Sequence, residues 1–128
     1  LAGLRAPMAN LATARLDGAD LTGAVLDDAN LERASLVRAR AAKVSIQRGI
    51  MVRADVCGAL LRGAVLRQAD LSHARLDGAD LRDADLEAAN MHRVQREGAS
   101  LDGAKMKGAR GTDPERARAE DFRPGFSR

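Results

Sequence analysis

Two histidines, one cysteine and several close pairs of aspartates are the side chains here with the chemistry for metal binding or catalysis. His73, His92 and Cys57 show none of the short spacings by which a loop or helix gathers ligands around zinc. No glycine-rich loop of the phosphate-cradling kind is present. The carboxylates Asp17 and Asp20, or Asp83 and Asp85, would act as acid and base only in a pocket that separates their pKa values. A more regular signal is cationic. Arg33, Arg38, Lys43, Arg48 and Arg53 recur at every fifth residue, which suits binding of anions rather than bond-breaking.

The elements that carry these side chains follow the same count of five. Of the 22 positions at that spacing from Leu1 to Met106, 19 are Leu, Ile, Val or Met. Two residues before each stands a small residue, from Ala9, Ala14 and Ala19 to Ala99, Ala104 and Ala109. A step of five turns a helical side chain by about 140°, which would scatter the leucines around the axis. In a flat strand the same step throws successive leucines to opposite faces. The chain must therefore bend once per repeat, an extended step followed by a corner, and stack its coils as a solenoid. Nine of the 12 glycines fall at one corner position, where a turn can demand positive φ.

The segments Ala19-Asp20-Leu21-Thr22-Gly23, Ala29-Asn30-Leu31-Glu32-Arg33, Ala69-Asp70-Leu71-Ser72-His73 and Ala79-Asp80-Leu81-Arg82-Asp83 resemble the repeat of the pentapeptide-repeat family. That resemblance implies an all-β solenoid, a right-handed quadrilateral β-helix with about 20 residues per coil and about five and a half coils. The chain adds its own sign: Arg15–Leu21 recurs unchanged as Arg75–Leu81, 60 residues on. The composition agrees, with no Trp or Tyr and only two Phe, because a narrow column of leucines over alanines needs no aromatic filling. Ala41 is small where Leu is expected and Val44 large where Ala is expected, a volume exchange within one coil.

Stacking by coils brings Arg33, Arg53, His73 and Arg93 into one vertical file, with Arg75 beside it. Such a file can meet an acidic partner surface, or stand as a solvated corner relieved by Glu32 and Asp55. Ile50 and Val52 flank inward Met51 and precede Arg53, and Leu60, Val25 and Val65 also point outward; apolar residues in an otherwise polar repeat mark a candidate contact. The candidate partner-binding residues are thus Ile50, Val52, Arg53, Arg33, His73 and Arg93. The segment from Ala39 to Val56 departs most from the repeat and carries no glycine at its corners. Cys57 is expected as an outward thiol beside Val37. A convex column gives the aspartate pairs no cleft, so no catalytic residue, metal or cofactor is expected.

Residues 1–110 are expected to form the repeat column and 111–128 a cap. Thr112-Asp113-Pro114-Glu115 reads as a helix start. A short helix should run to about Asp121, with Phe122 and Phe126 folded over the last coil and Arg96 beneath the helix. The first repeat shows no cap, which suggests a piece of a longer chain or an end covered by another subunit. With one Cys and no long apolar run, the expected setting is the bacterial cytoplasm, or export by a dedicated system.

The expected function is a non-catalytic protein-binding or scaffolding domain, acting on a protein partner or another copy of itself. Nucleic acid, membrane and small-molecule substrates are not expected: stacking aromatics are lacking, and 21 basic residues against 18 acidic leave a net charge of only +3. The resemblance implies further contexts. Members include C-terminal domains of larger proteins, among them accessory and effector proteins of secretion machines, and some imitate DNA with an acidic column to bind gyrase, so topoisomerase protection by DNA mimicry is the alternative reading. A passive spacer is the remaining reading.

Overall fold

The structure, a computed structural model, describes residues 1–122. Each repeat from Leu1 to Arg110 has the same local form, a tight turn followed by one bridging residue. In the first turn the Leu4 N–H donates to the Leu1 carbonyl at 3.0 Å, and Leu26, Leu31 and their successors repeat the bond. The third residue of every turn has positive φ, the feature of a type II turn. Glycine takes that conformation freely, yet Arg33, Arg38, Lys43, Arg48 and Arg53 adopt it too, with φ between 57° and 59°. The expectation of a left-handed corner therefore holds beyond the glycines.

Four such turns complete one circuit. Bridging residues pair in parallel with those 20 positions on, from Arg5 with Val25 to Asn90 with Arg110. Around Val25 the ladder is closed on both sides: its N–H donates to the Leu4 carbonyl at 2.7 Å, and its carbonyl accepts from the Ala6 N–H at 2.9 Å. The molecule is thus a four-sided solenoid with a register of 20.

The fifth-residue side chains fill its interior. Leu21, Leu26, Leu31, Leu66, Leu71, Leu81 and Leu86 are buried, as are the inward-facing alanines from Ala24 to Ala89. Each buried Leu contributes roughly 1.5–3 kcal/mol, which makes this ladder the main stabilising term. Ala41 and Val44 are both buried, as the volume exchange requires. A second exchange was not foreseen. Gly49 occupies an alanine position, and a Cβ there would collide with the Cγ2 of Ile46, the β-branched residue standing in for Leu.

Leucine and alanine fill the column, while the aspartate and asparagine of the repeat close its turns. The N–H of the second turn residue has no place in the ladder. Asn30 Oδ1 accepts it from Glu32 at 3.0 Å, Asp70 from Ser72 at 3.0 Å and Asn90 from His92 at 3.1 Å. Where the preceding residue is not Asp or Asn, an aspartate one coil away can substitute. Asp17 accepts from the Val37 N–H at 2.9 Å, Asp27 from Gln47 at 2.9 Å and Asp77 from Glu97 at 2.9 Å. The bonds within a repeat are Asx turns, and those between coils satisfy the same N–H from the neighbouring tier.

Beyond the repeats, α1 (Pro114–Asp121) starts as expected, with Asp113 accepting from the Glu115 N–H at 2.9 Å and Pro114 in the first turn. Its position differs from expectation. None of its residues is buried, and it lies along one corner. Met91, Val94, Met106 and Ala109 line an open cavity of about 290 Å³ at the end of the column. Arg96 also lines that cavity, exposed and without a helix partner among the described residues. Arg93, in place of Arg96, lies beneath the helix and bonds it, because the corner, unlike the inward site, faces the helix. Phe122 is 62% exposed and covers nothing, and Phe126 lies outside the described residues.

Candidate binding site along one corner

The file of Arg33, Arg53, His73 and Arg93 is assembled by backbone bonds. The Arg33 N–H donates to the Val52 carbonyl at 2.9 Å, Arg53 to Ser72 at 3.0 Å, and His73 to His92 at 2.8 Å. At Arg93 the next coil is missing, and the N–H donates to the Thr112 hydroxyl at 3.2 Å. A side chain thus supplies the last rung and places α1 over the file.

The file then divides. Arg33 and Arg53 are exposed and have no ion-pair partner among the described residues. His73 and Arg93 are half-buried beneath α1. Glu120 sits between them and is reached from four sides. Its Oε1 accepts from His92 Nε2 at 2.8 Å; its Oε2 accepts from His73 Nε2 at 3.1 Å and from Arg116 Nε at 3.1 Å. Arg93 Nε approaches Oε1 at 3.4 Å without forming a hydrogen bond. The His92 bond, helped by His73 and opposed by desolvation, holds the Glu120 carboxyl down at about 2, against an ordinary 4.5. Arg93 Nη2 also donates to the Ala117 carbonyl at 3.0 Å and to Asp121 at 2.7 Å, and the Asp121 bond raises the guanidinium pKa.

His73, His92 and Glu120 put three metal-ligating atoms within 4.8 Å of one another, a grouping that the spacing of the histidines did not announce. The sequence did carry a faint sign, since 73 and 92 differ by one coil less one residue. The donor set reads as a hydrogen-bonded clip. His92 is 2% exposed, and its Nδ1 accepts the Asp113 N–H at 3.0 Å. The network therefore assigns the proton to Nε2, pointing at the carboxylate. A metal at Nε2 would force that proton onto Nδ1, against another donor, and would sit beside Arg93 and Arg116. The two rings meet edge to face, with centroids 5.4 Å apart.

The apolar candidates do not join into a patch. Ile50 is 44% exposed but stands between Asn30 and Asp70 on its own face. Leu60, 47% exposed, lies half a circuit away between Arg40 and Asp80. Val52 is half-buried at the corner next to Arg53. With Ile50 in place of Asp or Asn, the Val52 N–H has no side-chain acceptor among the described residues. Cys57 is half-buried, and desolvation together with its hydrogen bond to Asp55 raises its thiol pKa, as suits an unreactive group. Most of the aspartates are engaged in turns and ion pairs. Asp80, for example, is held down at about 2 by the Arg82 guanidinium.

A four-sided β-solenoid with a polar corner clip is the class that this geometry defines. The model of the family described as pentapeptide repeats matches residues 9–44, 50–87 and 69–108, with eight copies. The chain belongs to the pentapeptide-repeat family. Among solved structures it is similar to Rfr23, a pentapeptide repeat protein of the cyanobacterium Cyanothece 51142, at 26% identity over 85% of each chain, with a TM-score of 0.72. It is also similar to a pentapeptide repeat protein of the Arabidopsis thaliana thylakoid lumen, at 31% identity and a TM-score of 0.59, over 73% of this chain and 62% of that one. No curated protein matches the sequence.

Proposed function

We propose that this chain is a non-catalytic binding module, a right-handed column of about five and a half coils that presents its basic corner file to an acidic protein surface. In this reading residues 1–110 form the rigid part and 111–128 the cap, whose helix α1 lies along one corner, and a bacterial cytoplasm is the setting. One observation carries it: two members of the file, His73 and Arg93, already hold carboxylates, those of Glu120 and Asp121. The other two, Arg33 and Arg53, continue the same line without partners among the described residues. Ile50 and Val52 border them and supply the apolar margin of the surface.

Imitation of DNA finds less support, because its acidic faces are broken. The face of Asp20 continues through Arg40 and Leu60 before Asp80. The test is charge reversal, Arg33→Glu with Arg53→Glu, and separately Ile50→Asp with Val52→Asp, followed by partner capture from the source cell. Loss of the same acidic protein in both variants supports the reading. Full recovery of every partner in both removes it.

A further inference from the structure

α1 is fixed by hydrogen bonds and ion pairs to the column, and several of its residues are poor choices for a free helix. It has eight residues, none of them buried. Isolated helices of this length are unstable in water. Glu120 and Asp121 lie in its last turn, where negative charge opposes the helix dipole. The Arg116–Glu120 pair runs in the less favourable order along the chain. These features make sense together only against the column. There Arg93 donates to the Ala117 carbonyl near the negative end of the helix, while His92, His73 and Arg93 surround the acidic side chains. The corner is thus shaped to receive a helix C-terminus that ends in carboxylates.

The resident helix fills this socket incompletely. Arg93 Nε is buried and has no hydrogen-bond acceptor among the described residues. A carboxylate oxygen beside it, Glu120 Oε1, stops at 3.4 Å with its geometry committed to His92. A carboxylate arriving on a separate helix, free of the short Gly111–Asp113 connection, can take both guanidinium edges in the paired geometry that arginine favours.

We infer that His73, His92 and Arg93 form a receptor for the acidic C-terminal turn of a partner protein's helix, and that α1 is its internal occupant, displaced when the partner binds. The inference rests on the binding-module reading and names its site. Displacement exchanges one set of carboxylate bonds for another of the same kind, whereas the buried Leu ladder under the socket stays in place.

The experiment uses the full chain carrying Glu120→Ala and Asp121→Ala, which removes the resident carboxylates from the socket without touching the core, with amide protection of the ladder as the folding control. The probe is a synthetic peptide of residues 112–122 with blocked ends. The expected result is saturable binding with shifts in the His73 and His92 ring signals. Binding should be at least tenfold weaker to the unaltered chain, where α1 competes, and at least tenfold weaker for a peptide with Gln and Asn in place of the two acids. Arg93→Ala in the emptied chain should abolish binding, and Arg33→Glu with Arg53→Glu should leave it intact. That last pair separates failure of the socket from failure of the wider file. Absence of binding at millimolar peptide, or equal binding by the uncharged peptide, overturns the inference. So does an unaltered chain that elutes as a dimer and falls to a monomer in the emptied variant, because a second copy would then be the occupant.

Discussion

The column and α1 are held by opposite means. Between Leu21 and Met91 every tier has buried apolar residues and a closed backbone ladder, so each coil is fixed by its neighbours. α1 has no buried residue and depends on one cluster of charged and polar groups around Glu120. A repeated interior therefore gives stiffness without specificity, whereas a single unrepeated contact gives specificity with little stability. Any substitution should fall clearly on one side of that division.

The largest effect belongs to the interior. Leu71→Ala removes a fully buried side chain and should cost roughly 2–5 kcal/mol, read as a lowered urea midpoint. Its helix contacts should survive until the column itself unfolds; loss of α1 well before the column would break the comparison. Next is Gly49→Ala, which drives a methyl group into Ile46 and should cost about 1–3 kcal/mol. Pairing it with Ile46→Leu, which removes the offending Cγ2, should restore most of the loss. No recovery in the double variant would show that the glycine serves the backbone and not the packing.

Acid should separate the two regions most sharply. The Glu120 carboxyl is lowered in the folded state, so its contribution is present above about pH 4.5 and is lost as pH falls through about 2. Helical signal from α1 should decline over that window while ladder amides stay protected. Simultaneous loss of both would mean that helix and column form one unit. The smallest effect is expected at Arg53→Gly, which relieves a left-handed corner at φ 59°. Stability should stay level or rise by up to about 1 kcal/mol. A clear loss would indicate that the Arg53 side chain stabilises the fold.

What was legible in the sequence was whatever repeats. Leu71 and its counterparts, the alanines below them and the glycine corners all announce their places, because one local rule is written many times. The start of α1 was legible too, since Asp113 and Pro114 act within their own turn. Its resting place was not. It depends on Thr112 meeting Arg93 and on Glu120 meeting two histidines, 28 and 47 residues away in the chain. No periodic pattern encodes such a meeting, and Arg96 was the wrong arginine for that reason. The file of Arg33, Arg53, His73 and Arg93 was legible as a line, but its division into a covered and an open half was not.

The register of 20 makes this molecule a quantised ruler. Inserting or deleting a whole circuit alters its length and leaves every surface facing the same way. A single repeat gained or lost keeps the core intact but turns all that follows by about a quarter of a revolution, carrying Arg93 and its helix away from the line of Arg33 and Arg53. Length can change here only in whole steps if the two ends are to address the same neighbour.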